Sequence, residues 1–423
     1  MKGTELVLKA LKDKGVKYIF GYTGGAIMPI FDEMEKQKRF TFIMSRHEQG
    51  AAFMAQGISR ASVGTAHPRT GVCIATSGPG AMNLVTGVAD ASMDSVPLLA
   101  ITGQVATGVI ASDAFQECDV VGVIMPLTKQ SYMPLSVDEI EETIHEAIYV
   151  ALTGRGGPVV IDIPKDIQAQ ETDDSYHFDP HIHEPNLPGF FYSPKPDRDL
   201  IHKAVGMINQ SERPIIISGH GVVMADAGQR LRRFAEKARI PVAYTLHGLS
   251  AMPVDHPLSL GMAGMHGTVE ANRTLLNADL IISFGMRFDD RVTGNLDLFA
   301  HDARVIHVEI DPSEIDKNVK TTVAINADAG EVLKLLAGDP EVVPKPRRRW
   351  FEKIQAYRSE IADDTQQEID VGLGKEGQLL MKTIVTKLSE VTHGRDIVVS
   401  DVGQHQMMLD RFYNFQTFNS WFT

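Results

Sequence analysis

Short, mainly apolar runs, most of them closed by glycine or a small polar residue, constrain the fold of this chain more than any other feature. The first is 16–20, followed by the turn Gly21-Tyr22-Thr23-Gly24-Gly25; others are 40–44, 71–76, 97–102 and 158–163. Helical stretches separate them: one that Thr4 can cap and Gly15 can stop, one reaching about Ala61, and others near 80–92 and 137–152. An apolar run without alternation is a strand buried on both faces. Such strands alternating with helices predict an α/β fold, a doubly wound parallel sheet covered on both sides.

The series then restarts. Residues 164–198 carry prolines at 180, 185, 188, 194 and 196 among many acids and read as an exposed linker. Apolar strands at 214–218, 241–245, 279–284 and 305–310 predict a second sheet of the same kind. Pro340, Pro344 and Pro346 mark another linker, with Arg347-Arg348-Arg349 as a solvated charge cluster. A third unit opens near Gly377 with a helix, a strand at 396–400 and the turn Asp401-Val402-Gly403. The predicted division is a domain at 1–168, a linker at 169–196, a domain at 197–340, a linker at 341–375, and 376–423 as the start of a third doubly wound domain, too short to stand alone.

A chain of 423 residues can bury two or three cores. Its formal charge of -13 argues against a nucleic-acid or anionic-membrane surface. No run reaches the length of a membrane span, and lysines at 2, 9, 12 and 14 interrupt any signal-like apolar core, so a cytoplasmic protein is expected. Cys73 and Cys118 give neither a disulfide framework nor a zinc spacing, and Cys73 reads as a buried structural thiol.

Chemistry concentrates after the strands. In Arg46-His47-Glu48-Gln49-Gly50-Ala51-Ala52 a carboxylate falls in the first turn of a helix, just past a strand end. Held in apolar surroundings, such a group can relay protons, because burial disfavours its charged form. The plainer reading is an acid placed by the helix dipole. Thr76-Ser77-Gly78-Pro79-Gly80 follows a strand and precedes a helix, where backbone amides can face a ligand, and Gly103-Gln104 closes another strand. These turns and Glu48 share the carboxyl edge, where clefts form in doubly wound sheets.

Together these segments resemble the large catalytic subunit of acetolactate synthase, a family of thiamine-diphosphate-dependent enzymes. The match runs in family order through Gly24-Gly25-Ala26, Ser45 to Gly50, Thr76 to Gly80, Asp113-Ala114-Phe115-Gln116-Glu117, Thr128-Lys129, Gly264-Met265-His266-Gly267, Phe288 to Gly294 and Gly403-Gln404-His405-Gln406-Met407. The resemblance implies decarboxylation of pyruvate on thiamine diphosphate, then ligation of the two-carbon unit to a second 2-keto acid, pyruvate or 2-ketobutyrate, in branched-chain amino acid synthesis. It places Glu48 on the pyrimidine ring, with Gly24, Gly25, Ser77 and Gly78 around the cofactor. Gln104 would sit near the reacting carbons, and Phe115, Gln116 and Lys129 in the substrate region. Arg155, His266, Arg287, Asp290, Glu309 and Asp328 would hold FAD; the plainer reading of these is ordinary turn and cap residues. A homodimer or tetramer with a small regulatory subunit is implied.

The chain departs from the family pattern at Thr23, Met82, Met125, Gln130 and Met408. It also lacks the family's Gly-Asp-Gly motif for magnesium and diphosphate, since Gly338-Asp339-Pro340 follows no strand. No metal ligand is therefore assigned here. The expectation is a C-terminally incomplete chain, inactive alone and poorly soluble because its last apolar elements lack partners. A pyruvate oxidase, a 2-keto acid decarboxylase and an inactive flavin-binding module are the alternatives.

Overall fold

The structure is a computed structural model describing residues 1–65, 70–173, 175–179, 187, 194–371 and 378–423, with backbone alone over 360–371. The chain forms two compact units, 1–192 and 193–423. Among the described residues no helix is long and apolar enough to cross a membrane.

The first unit runs α1 (Gly3–Asp13), β1 (Tyr18–Gly21), α2 (Met28–Gln37), β2 (Thr41–Met44), α3 (Glu48–Ala61), β3 (Gly71–Ala75), α4 (Pro79–Asn83), α5 (Val85–Met93), β4 (Leu98–Gln104), α6 (Val120–Ile124), β5 (Gln130–Tyr132), α7 (Ile140–Leu152), β6 (Pro158–Pro164) and α8 (Lys165–Ala169). Its sheet is parallel throughout, in the order β2-β1-β3-β4-β6-β5. The strands β3, β4 and β6 are buried along their whole length, as near-continuous apolar runs require, although β6 carries one acid, Asp162. Cys73 is fully buried in β3 and burial pushes its thiol up to about 12, so it is an inert structural thiol.

Several boundaries differ from expectation. Lys2 rather than Thr4 caps α1, with its backbone N–H donating to the Glu5 carboxylate at 2.7 Å. The helix expected at 80–92 breaks at Leu84 into α4 and α5. Residues 165–169, read within the first proline-rich stretch, continue the fold as α8.

The second unit runs α9 (Arg198–Gln210), β7 (Pro214–Ser218), α10 (His220–Met224), α11 (Gly228–Ala238), β8 (Val242–Tyr244), β9 (Ser259–Met262), α12 (Val269–Leu276), β10 (Leu280–Phe284), α13 (Asp290–Thr293), β11 (Arg304–Glu309), β12 (Val323–Asn326), α14 (Ala329–Gly338), α15 (Arg348–Val371), α16 (Met381–Thr392), β13 (Val398–Val399), α17 (Gln404–Phe412) and β14 (Trp421–Phe422). Its parallel sheet has the order β12-β11-β10-β7-β8-β9, and β13 and β14 form a separate pair.

Several expectations for this half are corrected. The stretch 341–375 holds the long helix α15, whose Trp350 and Ile354 enter the core under the second sheet. Arg347 is not solvated: it is 5% exposed, and its guanidinium donates to the carbonyls of Ser211 (3.0 Å), Ala238 (2.8 Å) and Ile208 (2.8 Å). The elements from α16 onward do not form a unit of their own. Val385, Val398, Tyr413, Phe415 and Trp421 join the core of the second unit, and Phe415 accepts the Val254 backbone N–H at 2.9 Å. The aromatic tail is thus covered, although Val399 and Val402 remain exposed.

Replacing Arg347 by alanine strands three buried carbonyls. A cost of about 3 kcal/mol or more is expected, since an unsatisfied buried acceptor loses on the order of 1–3 kcal/mol. Urea unfolding followed by tryptophan fluorescence measures it, because both tryptophans, Trp350 and Trp421, lie in this unit.

Candidate active site

In the first sheet the chain reverses direction between β1 and β3, since β2 lies on one side of β1 and every later strand on the other. Loops leaving the carboxyl ends of two such strands diverge and open a crevice. Here they are the turn after β1 and the turn after β3. Gly24 approaches Thr76 so closely that a Cβ would stand 2.5 Å from the Thr76 Cβ, and the Ala26 N–H donates to Thr76 Oγ1 at 3.1 Å. Gly78 takes φ +54° and packs on the Gln116 backbone, where a Cβ would lie 2.5 Å from the carbonyl oxygen. Side chains at either position would close the turns. Ser77 is buried and Gly25 borders open space.

Glu48 enters this crevice from α3. His47 caps the helix, its Nδ1 accepting the Gln49 N–H at 3.2 Å, which fixes Glu48 as the first helical residue. The Glu48 side chain is largely buried, at 8% exposure, and Asn83 Nδ2 donates to its Oε2 at 2.9 Å. Its Oε1 faces Gly80, where a Cβ would stand 3.3 Å away. One oxygen is anchored and the other looks into space kept free by a missing side chain. Asn83 escaped the sequence reading; its only signal was a lone amide closing a helix of small and apolar residues.

Gln104 lies at the same edge, fully engaged. Its Nε2 donates to Asp162 Oδ2 (2.7 Å) and the Cys118 carbonyl (2.8 Å), and its Oε1 accepts the Val105 N–H (2.8 Å). Asp162 also accepts from the Thr102 hydroxyl at 2.6 Å, and burial pushes its carboxyl up to about 6. Beyond β4 the loop 105–119 carries Phe115, 87% exposed, and non-glycine residues at positive φ: Ala111, Asp113 and Gln116. Each such conformation costs on the order of 1–3 kcal/mol. The Glu117 carboxylate accepts the N–H groups of Ala111 and Ala114, which hold it below the usual carboxylate range.

Lys129 and Arg155 fall elsewhere. Lys129 precedes β5, with its N–H on the Pro158 carbonyl, and its ammonium donates to the carbonyls of Val150 and Thr153 at the end of α7. Arg155 precedes β6 and donates to Ser95 Oγ at 2.8 Å. Both occupy the amino edge of the sheet, opposite Glu48. Lys129 thus stands away from this unit's own carboxyl-edge cleft, and its charge serves the end of α7. Arg155 likewise stands apart from the carboxyl-edge turns.

The second sheet reverses between β7 and β10. Glycines line that point. A Cβ on Gly219 would lie 2.1 Å from the Gly285 carbonyl oxygen, and Gly285 itself has φ +57°. His266, Arg287, Asp290 and Asp328 follow strand carboxyl ends, and Glu309 is the last residue of β11. Arg287 is part-exposed with Asp289 3.9 Å away, and Asp290 is exposed at the start of α13. Glu309 folds back onto the N–H groups of Ile310 (2.9 Å) and Asp311 (3.2 Å). Asp328 is the N-cap of α14, accepting the Glu331 N–H at 3.0 Å, so the plainer reading describes its present contact. His266 Nδ1 lies 3.0 Å from the buried Asp410 carboxylate, without the alignment of a hydrogen bond.

Residues 1–123 match the thiamine pyrophosphate enzyme N-terminal TPP binding domain, and residues 201–336 match the central domain of those enzymes. A probable acetolactate synthase large subunit of Methanocaldococcus jannaschii is 44% identical over 98% of this chain and 68% of its own length. The chain belongs to the acetolactate synthase large-subunit family. The Corynebacterium glutamicum acetolactate synthase large subunit is 40% identical over 100% of this chain and 65% of its own length. A chloroplastic acetolactate synthase 1 of Oryza sativa is 41% identical over 99% and 63%. The chain thus spans about two thirds of the length of these relatives.

Within this family frame the crevice of the first unit fits the pyrimidine end of thiamine diphosphate. A ring nitrogen needs an acceptor held in place with one face open, which Glu48, Asn83 and Gly80 provide. Ligands for a hard cation are not gathered there. Among the described residues one group of three candidates comes together, Asp13, Glu141 and His145 on α1 and α7, and there Lys9 already pairs with Glu141.

Proposed function

We propose that this chain is the catalytic subunit of an acetolactate synthase, joining the two-carbon unit of pyruvate to a second 2-keto acid, pyruvate or 2-ketobutyrate, for branched-chain amino acid synthesis. The observation that carries this is Glu48, buried, anchored by Asn83 and open on its other oxygen toward Gly80 at the reversal point of the first sheet. Thiamine diphosphate supplies the electron sink for decarboxylation and ligation. The chain's own part is to seat the pyrimidine between the turns at Gly24-Gly25 and Ser77-Gly78, and to let Glu48 Oε1 exchange a proton with the ring. Gln104, Phe115 and Gln116 border the substrate. Magnesium and the diphosphate require ligands from outside this cleft. The relatives' designation as large subunits supports a small-subunit partner beside self-association.

FAD is proposed for the second unit, at the carboxyl edge where Gly219 and Gly285 let the turns after β7 and β10 pack closely and Arg287, His266 and Asp290 follow strand ends. Arg287→Ala is expected to lower flavin retained through gel filtration, read from flavin absorbance, by removing a charge-assisted contact. Equal retention would remove Arg287 from the site.

Product analysis tests the function. The whole protein, given pyruvate, thiamine diphosphate, magnesium and FAD, is expected to form acetolactate. Acetyl phosphate or acetaldehyde as sole product would replace the reading with an oxidase or a decarboxylase.

A further inference from the structure

The strand β6 reads Pro-Val-Val-Ile-Asp-Ile-Pro, and its single acid, Asp162, is 1% exposed. A carboxylate in the middle of a sheet is costly unless its oxygens are used. Both are. Asp162 pairs in register with Thr102 of β4; one oxygen takes the Thr102 hydroxyl and the other takes the Gln104 amide. The remaining N–H of that amide reaches the Cys118 carbonyl, at the far end of the loop 105–119. The loop's front is held separately, by Thr107 on Asp166, and its interior by Glu117. Neither contact ties the end that carries Gln116 to the sheet. Gln116 packs its backbone on Gly78.

We propose that Asp162 is a positioning residue: it fixes the Gln104 amide and, through it, tethers the end of the loop 105–119 to the sheet so that Gln116 stays against Gly78. The assignment of that loop to the substrate rests on the function proposed above; the tether does not. With an ionised Asp162 both Gln104 N–H groups have acceptors, so the amide cannot turn without losing one of them. A polar side chain bordering the reacting groups is thereby held in a single orientation.

Hydrogen exchange by mass spectrometry on the full chain tests this. In Asp162→Ala, amides of 105–119 should exchange about tenfold faster, with α3 and β3 unchanged. Gln104→Ala should give the same acceleration, and the double variant no more. Asp162→Asn keeps an oxygen for Gln104 and offers an N–H to the Thr102 hydroxyl, so it should restore protection. Unchanged loop exchange in Gln104→Ala overturns the tether, even if Asp162→Ala fails to fold. Additive effects in the double variant, or acceleration spread evenly over the sheet, overturn it too. Absence of acetolactate formation by the wild-type protein counts against the proposed function alone, and the exchange pattern still decides the tether.

Discussion

Glu48→Gln is expected to lower acetolactate formation by the whole protein by roughly two orders of magnitude or more, the usual weight of a positioned proton relay. Glutamine keeps the shape and can still accept from Asn83 Nδ2 through its carbonyl oxygen. The NH2 group then faces the Gly80 space, where Glu48 Oε1 would meet the pyrimidine. A donor there opposes a ring N–H and cannot take a proton. Folding should persist, because α3 retains its His47 cap and its buried alanines, Ala51, Ala52 and Ala55. Steady-state turnover on pyruvate, with circular dichroism to confirm the fold, checks both halves. Near-wild-type turnover would dismiss Glu48 as the relay.

A second large effect is expected from Asp410 in the second unit. Its side chain is buried within α17, both oxygens lack hydrogen bonds, and burial pushes its carboxyl up to about 8, with Arg411 pulling the other way. The facing His266 ring is lowered by its own burial and by Arg291 and Arg411, so it does not supply the missing charge. The folded carboxyl holds its proton more tightly than the unfolded one. Stability contributed here is therefore present at low pH and lost as pH rises toward about 8, then constant. From pH 6 to 9 the loss is about 3 kcal/mol, two pH units at about 1.36 kcal/mol each. Asp410→Asn keeps the shape and removes the titration. Urea midpoints from tryptophan fluorescence should fall between pH 6 and 9 in the wild type and change much less in Asp410→Asn. Parallel profiles for the two proteins would contradict the burial of a neutral carboxyl.

The interior of both sheets was legible because a strand buried on both faces must be apolar along most of its length. The strands β3, β4, β6, β7, β10 and β11 all stand within about two residues of their sequence signals. The strands of the two six-stranded sheets that escaped notice, β5, β9 and β12, are all sheet edges, short and partly polar, and nothing in their composition separates them from loops. Proline misled at 341–375, where Trp350 and Ile354 supply a buried stripe and Arg347 satisfies carbonyls from two separate segments, the ends of α9 and α11. Such a role depends on which carbonyls the fold strands nearby, which a run of arginines does not disclose.

The site divides in the same way. Glu48, Gly24 and Gly78 were readable because each follows a strand in chain order, and chain order fixes the sheet edge. Lys129 and Arg155 precede strands, and that same rule would have placed them at the opposite edge. Asn83 and Asp162 were not readable, since their partners lie 35 and 58 residues away and only the sheet order brings them together.

The most direct measurement is the rate at which thiamine diphosphate bound to the whole protein exchanges its thiazolium C2 proton for deuterium, followed by acid-quench proton NMR. It reads the proton transfer assigned to Glu48 without substrate, ligation or product release. The account predicts fast exchange in the wild type and exchange slowed by about two orders of magnitude or more in Glu48→Gln. Equal rates in the two proteins, with cofactor bound to both, would contradict it.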